Sequence, residues 1–151
     1  MIRINVIVKD KTWLKYIKNP DIYLKKKIKK IQRDRFFSNK KYSLSLQLSG
    51  EKEIKYLNNK FRKKNKPTDI LSFPIKKMIN KNFFYLGDII ISYEFMNRPQ
   101  KINLAEFKKK VAKIFIHGFL HLKGYDHKKD NDFSKMQKEE IKIYNLVKNK
   151  I

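Results

Sequence analysis

The stretch "YSLSLQLSGEKEIKYLNNKFRK", residues 42–63, decides the fold class, because its hydrophobic period changes from two residues to a helical repeat. In the first part, Leu44, Leu46 and Leu48 alternate with polar residues, which is typical of a strand with one buried face. After Gly50, two acidic residues suit a helix N-terminus and apolar residues recur at helical spacing. A strand followed directly by a helix indicates a protein that mixes both kinds of element.

Outward from this stretch, the same two periods predict further strands at residues 2–8, 68–75 and 85–93, with a lysine-rich connection at 76–83. Further helices are predicted at 22–37, 103–124 and 131–150. We therefore expect one α+β domain spanning residues 1–151. The helical stripes predicted to be buried contain Ile22, Leu24, Ile28 and Ile31; Ile54, Leu57 and Phe61; Leu104, Phe107, Val111, Ile114 and Phe115; and Phe133, Met136, Ile143, Tyr144 and Val147.

Three local signals refine these elements. Asn103, followed three residues later by Glu106, is close to a capping box and predicts a helix start. Gly124 is placed to end that helix. Pro74 has no amide hydrogen to donate, so the strand at 68–75 is expected to lie at a sheet edge or to end there.

The composition limits the chemistry open to this chain. Cysteine is absent, which excludes disulfides, thiolate nucleophiles and cysteine-type zinc sites, so any metal must use histidine or carboxylate ligands. The N-terminal segment "MIRINVIVKD" returns to charged residues at Lys9. Because no apolar run approaches the length of a spanning helix or a secretory signal, we expect a cytoplasmic protein without a membrane partner.

The formal net charge of +24 favours nucleic acid as a partner, because it raises the local concentration of phosphate. A second explanation stays open. Lysine, asparagine and isoleucine are plentiful and are encoded by codons rich in A and T, so genomic bias alone can enrich lysine. The charge therefore supports a nucleic-acid partner without establishing one.

All three histidines of the chain lie in "HGFLHLKGYDH", residues 117–127. On a helix, His117 and His121 are one turn apart and project from the same face. Gly124 can adopt the left-handed conformation that ends a helix, which lets His127 approach from the following loop. Three protein ligands leave one coordination position open, as in catalytic zinc sites, whereas structural sites are closed by four ligands. The segment predicts one Zn²⁺ per chain at a helix C-terminus.

The spacing also matches the metzincin pattern H-E-x-x-H-x-x-G-x-x-H at the three histidines and the second glycine. Gly118 stands where that pattern has its general-base glutamate. We expect glycine there to leave space beside the zinc-bound water for a bulky phosphodiester. The alternative, two ordinary helix histidines and a surface His127, is disfavoured by the shared spacing.

The string H-G-x-L-H-L-x-G-Y-D-H resembles the signature of the YbeY family, bacterial zinc-dependent endoribonucleases of ribosomal RNA maturation. Residues 57–74, "LNNKFRKKNKPTDILSFP", resemble the family's upstream segment, and residues 86–92, "LGDIIIS", its central strand. With the terminal helix, the resemblance spans nearly the whole chain in the right order. It implies a small mixed sheet of about four strands packed with helices, and a zincin-like three-histidine site.

The resemblance also implies an activity and a set of site residues. His117, His121 and His127 would be the zinc ligands, and Arg62 would line the cleft across from the metal and act with the zinc-bound water. The implied function is single-strand-specific endoribonuclease activity in late ribosomal RNA processing, at the 3′ end of 16S rRNA, and in ribosome quality control. The implied partners are ribosomal RNA and the small ribosomal subunit with its assembly factors.

Several alternatives stay open. No side chain is an obvious general base, so the attacking group is either zinc hydroxide or the 2′-hydroxyl of the RNA. Asp69 and Asp88 either orient a ligand histidine or cap turns. A peptidase-like zinc hydrolase fits the histidine spacing but is opposed by Gly118, and a ribosome-assembly factor with structural zinc is opposed by the open coordination position.

Overall fold

The computed structural model describes residues 1–32 and 41–148 of the chain. Within these ranges, no helix combines the length and apolar character needed to cross a membrane. A 3₁₀ helix, Lys11–Lys15, follows the first strand. The strands are β1 (Ile2–Val8), β2 (Tyr42–Ser49), β3 (Ile70–Met78) and β4 (Phe84–Ser92), and the helices are α1 (Pro20–Ile31), α2 (Glu51–Arg62), α3 (Tyr93–Met96), α4 (Leu104–Leu122) and α5 (Asp130–Val147).

The four strands form one mixed sheet in the order β1-β2-β4-β3. β2 runs parallel to both β1 and β4, whereas β3 runs antiparallel to β4. The expected α+β fold with a small mixed sheet is therefore confirmed. β3 lies at the sheet edge, and its pairing with β4 shifts register between Pro74 and Lys77, which agrees with the missing amide hydrogen of Pro74.

The two faces of the sheet carry different helices. Leu44, Leu46 and Leu48 of β2 are at most 1% exposed, as their alternation predicts, and they join a large core cluster with residues of α1, α4 and α5. On the opposite face, α2 contributes Ile54 to a smaller cluster with Leu71 of β3. The edge strand β3 therefore lies between α4 on one face and α2 on the other, and the functional site forms beside it.

Four apolar residues that the periodicity assigned to buried stripes are instead exposed by 47–60%: Ile22, Phe61, Leu104 and Phe133. Phe61, Leu104 and Phe133 lie in end turns beyond the outermost buried residue of their helices. Ile22 differs, because Pro20 before it is buried and Ile22 points about 200° away from Leu24 around the helix. Interior members of the same stripes, such as Leu24, Phe107 and Ile143, are at most 2% exposed. Periodicity thus predicted the buried face correctly but not where burial stops.

Several element bounds also differ from the expectation. The helix expected at 22–37 begins at Pro20, and residues 33–37 of that prediction lie outside the described part of the chain. β3 continues through Met78 into the expected connection. The 3₁₀ helix and α3 were not predicted, because elements this short carry no readable period. The 3₁₀ helix buries Trp13 completely, and its indole nitrogen donates to the Ser49 carbonyl oxygen at 2.9 Å.

Candidate metal centre

The C-terminal half of α4 carries the site, and both ends of this helix follow the sequence signals. The Asn103 side-chain oxygen accepts from the Glu106 amide at 2.8 Å, as an N-cap does. At the other end, Gly124 has φ +103 and the Tyr125 amide donates to the Leu120 carbonyl at 3.0 Å. This Schellman-type ending turns the chain back toward the helix, so the loop that carries His127 returns to the side of His121.

The structure brings the three histidines together. One ring nitrogen from each of His117, His121 and His127 lies within 4.8 Å of those of the other two. The Nε2 atoms of His117 and His121 are 3.1 Å apart. Two nitrogens on one tetrahedral zinc, each about 2.0–2.1 Å from the ion, lie about 3.3 Å apart, so this pair has the spacing of shared ligands.

The hydrogen bonds of the Nδ1 atoms of His117 and His121 determine which ring nitrogen carries the proton. His117 Nδ1 lies 2.6 Å from Glu140 Oε1 on α5, and His121 Nδ1 lies 3.0 Å from the Tyr125 carbonyl oxygen. Both partners accept hydrogen bonds, so each Nδ1 carries the proton and each Nε2 presents a lone pair. Neutral imidazoles whose Nε2 atoms lie this close together form a donor set that fits a divalent metal ion.

Burial reinforces the neutral form of His121. Its pKa is lowered below the ordinary value, first by removal of the ring from water and then by the repulsion that would arise if His117 were protonated as well. The neutral imidazole is the form that coordinates a metal. The environment of His121 therefore favours metal binding over protonation.

Glu140 was not identified from the sequence, although a signal was present. It lies four residues after Met136 and three before Ile143, which places a carboxylate on the stripe that α5 buries. A charged group on such a stripe needs a partner. In the structure that partner is His117.

A cleft of about 890 Å³ separates the histidines from the edge strand β3. Arg62, at the end of α2, lines it with the three histidines, and its Nη2 donates to the Ser72 carbonyl oxygen at 3.0 Å. A guanidinium has five N–H donors, so this bond fixes the group and leaves donors for a ligand. Further cations on the lining are Lys64, Lys76 and Lys128. These lysines carry no special sequence signal in a chain so rich in lysine.

The two aspartates do not orient the histidines. Asp69 lies on the cleft, and its carboxylate accepts from the Ile70 amide at 2.8 Å and from the Thr68 hydroxyl at 3.2 Å. Asp88 accepts from the Tyr85 hydroxyl. The carboxylate of Asp69 therefore serves local hydrogen bonds. The residue in position to orient His117 is Glu140.

The expectation that Gly118 leaves open space for substrate is wrong. A Cβ added at Gly118 would lie 2.6 Å from Ile70 Cδ1, 3.0 Å from Ser72 Oγ and 3.3 Å from Ile89 Cγ2. The glycine is buried and allows α4 to approach β3 and β4 closely. Its role is close helix–sheet packing, so a glutamate at this position would first have to displace Ile70 and Ser72.

Comparisons with known proteins agree with this architecture. The family model described as Endoribonuclease YbeY matches residues 9–148. The Endoribonuclease YbeY of Pelagibacter ubique is 52% identical over 152 residues, covering 100% of this chain and 99% of that protein, and that of Ehrlichia canis is 38% identical, covering 95% and 90%. The solution structure of a Thermotoga maritima protein superposes with a TM-score of 0.53 at 29% identity, covering 97% of this chain and 89% of that chain. The chain therefore belongs to the YbeY family of endoribonucleases.

Proposed function

We propose that this protein is an endoribonuclease that uses one zinc ion, held by His117, His121 and His127, to cut single-stranded RNA. The observation that carries the proposal is that the Nε2 atoms of His117 and His121 lie 3.1 Å apart at the wall of a cleft that Arg62 also lines. Membership of the YbeY family supports an RNA substrate.

The donor set supports zinc over other common divalent ions. Mg²⁺ and Ca²⁺ prefer oxygen ligands, whereas the candidate site offers three imidazole nitrogens. With three protein ligands, a tetrahedral ion keeps one position for water or substrate. When bound, zinc would lower the pKa of water and polarise a phosphoryl oxygen, as phosphodiester cleavage requires.

Arg62 would bind the phosphate next to the scissile bond. Its bond to the Ser72 carbonyl fixes the guanidinium plane at the cleft wall, and a planar fork matches two phosphate oxygens. Lys64, Lys76 and Lys128 would draw the negatively charged strand into the same cleft. The cleft volume of about 890 Å³ lies within the range of ligand-binding clefts, so the cleft can hold a short segment of a single strand.

The substrate that we propose is precursor ribosomal RNA, with cleavage at the 3′ end of 16S rRNA during late processing in the cytoplasm and in ribosome quality control. The small ribosomal subunit and its assembly factors would be the partners. Family membership and the net charge of +24 support this assignment. Cleavage of precursor 16S rRNA within small-subunit particles by the purified protein would test it directly.

The activity itself is tested by incubating zinc-loaded protein with labelled single-stranded RNA, duplex RNA and an unstructured polypeptide. We expect cleavage of the single strand alone. Analysis of the new ends identifies the attacking group, because attack by the 2′-hydroxyl leaves a cyclic phosphate and attack by water need not. Cleavage of the polypeptide would indicate a peptidase. Inactivity toward all three substrates at full zinc occupancy would favour an assembly factor with structural zinc.

A further inference from the structure

Two aromatic side chains of α2 are exposed, and one of them, Phe61, contacts an aromatic side chain of β3 next to the cleft. Tyr56 and Phe61 on α2 are 58% and 60% exposed. Phe73 on β3 lies beneath Phe61, with the two ring centroids 5.4 Å apart in an edge-on arrangement. We call Tyr56, Phe61 and Phe73 the aromatic ledge. Core packing does not account for the two exposed rings, because α2 buries Ile54 and Asn58 instead.

Cations alternate with the rings of the aromatic ledge. The Arg62 guanidinium carbon lies 5.7 Å from the Phe73 centroid. On the other side, Lys60 Nζ lies 5.4 Å from the Phe61 centroid and 5.8 Å from that of Tyr56. Rings that can stack on bases, interleaved with cations that can contact phosphates, are the combination found in single-strand binding surfaces.

Lysine side chains also lie over aromatic rings elsewhere in this lysine-rich chain, so a cation beside a ring does not by itself indicate an RNA-binding surface. Lys113 Nζ, for example, is 5.1 Å from the Tyr144 centroid, but Tyr144 is partly buried and packs against the core. Of the large hydrophobic side chains in residues 1–32 and 41–148, the exposed aromatic ones are Tyr56, Phe61 and Phe133. Two of these three rings belong to the aromatic ledge, and Lys60 lies near both of them.

Arg62 connects the aromatic ledge to the cleft. It lines the cleft and bonds to Ser72, and it also lies over Phe73. Ser72 and Phe73 are consecutive in an edge strand, so their side chains point to opposite faces of the sheet. A strand of RNA that leaves the cleft across this edge therefore passes Arg62 and reaches Phe61.

We propose that the aromatic ledge is a base-stacking subsite that holds single-stranded RNA next to the cleavage site. This inference rests on the proposed function and adds to it a binding surface on the opposite face of β3. Stacking accepts every base, so the subsite favours unpaired RNA without selecting a sequence. We infer an RNA ligand rather than a protein partner for two reasons. Cations alternate with the rings, and Arg62 belongs to both the aromatic ledge surface and the cleft.

The test measures binding of a short 2′-O-methylated single-stranded oligoribonucleotide to the zinc-loaded full chain. 2-Aminopurine is placed at successive positions, since its fluorescence is quenched when it stacks. We expect Phe61→Leu to bind about fivefold more weakly or worse and to lose the quenching, and Phe61→Trp to retain both. Phe133→Leu is the matched control, because Phe133 is 53% exposed on α5, and we expect it to bind as the wild type does.

Cleavage of unmodified single-stranded RNA, measured in parallel, separates this inference from the proposed function. If the wild type binds and cleaves RNA while Phe61→Leu keeps its affinity and quenching, the aromatic ledge is not a stacking subsite and the nuclease assignment stands. An equal loss in Phe61→Trp or Phe133→Leu would also overturn stacking. A wild-type protein that neither binds nor cleaves RNA would overturn both. Leucine favours helix at least as well as phenylalanine, so Phe61→Leu is expected to fold, and Tyr56→Leu provides a second variant.

Discussion

The hydrogen bond between His117 and Glu140 ties the metal centre to α5, a helix that contributes no proposed ligand. The 2.6 Å contact holds the proton on His117 Nδ1 and leaves the Nε2 lone pair, next to His121 Nε2, for a metal ion. A carboxylate in this position also raises the basicity of the imidazole toward a metal. Metal affinity is therefore expected to depend on a residue that never contacts the ion.

Replacement of Glu140 by alanine tests this dependence. We expect Glu140→Ala to weaken zinc binding by about 10–100-fold, because His117 loses the partner that sets its orientation and proton position. Competition with a chromophoric chelator measures the affinity. Glu106→Ala, an exposed glutamate in the first turn of α4, is the control and should bind zinc normally. Unchanged affinity in Glu140→Ala would mean that the contact has no influence on the site.

Arg62→Lys tests whether geometry or charge matters at the far wall of the cleft. Lysine keeps the charge but cannot reproduce the planar fork or its bond to the Ser72 carbonyl. We expect RNA cleavage to fall by about tenfold or more, whereas the reciprocal change Lys64→Arg should leave it nearly unchanged. Steady-state cleavage rates of the two variants provide the measurement. Equal rates for Arg62→Lys and the wild type would reduce Arg62 to a general basic contact.

At the scale of elements, the position of α4 against the sheet sets the width of the cleft. Gly118 is a point of close approach, facing Ile70 Cδ1 and Ser72 Oγ. Ile70 and Ser72 also line the cleft. A side chain at residue 118 would therefore push against the cleft wall opposite the histidines. We expect any effect on RNA cleavage to come from this change in packing rather than from the charge of the new side chain.

Gly118→Ala is expected to lower the free energy of unfolding by about 1 kcal/mol at most, because the added methyl group crowds Ile70 Cδ1 while alanine favours the helix. Ile70→Val removes that atom, so the double variant should be less destabilised than the sum of the single variants. Urea denaturation gives the free energies, and zinc content is measured on the same samples. Strict additivity of the two changes would show that this contact does not limit the approach of α4.

The hydrophobic period predicted the strands and the longer helices, because the apolar residues in the interior of each element point to the same buried face. Leu44, Leu46 and Leu48 are buried for this reason. Phe61 shares the period of its helix but lies past the packing surface, so no local pattern distinguishes it from Ile54. Where burial ends depends on the length of the neighbouring element, which a single segment does not encode.

The candidate site was predictable to the extent that it is local in sequence. His117, His121, Gly124 and His127 lie within eleven residues. The helical repeat places His117 and His121 together, and the turn at Gly124 returns His127 to them. Glu140 reaches the site from a separate helix, and its contact depends on how α5 packs on α4. A contact between two separate helices leaves only an indirect signal in the sequence, which here is a carboxylate on the buried stripe of α5.

At the scale of the whole molecule, salt dependence tests how much of the net charge of +24 contacts RNA. The cleft lining carries four cations, which are Arg62, Lys64, Lys76 and Lys128. For a single strand, contacts with these four predict a slope of about −3 in log affinity against log salt concentration. Lys64→Gln should reduce the slope by about 0.7. A slope several times steeper would mean that much of the remaining basic surface also binds RNA.

The central claim is that one metal ion on the three histidines enables RNA cleavage. Its most direct test is to titrate metal-free protein with zinc and to measure cleavage of single-stranded RNA at each addition. The account predicts activity that rises linearly and reaches a plateau at one zinc per chain, with no activity in His121→Ala at the same concentrations. Full cleavage by the metal-free protein, or by His121→Ala, would contradict it.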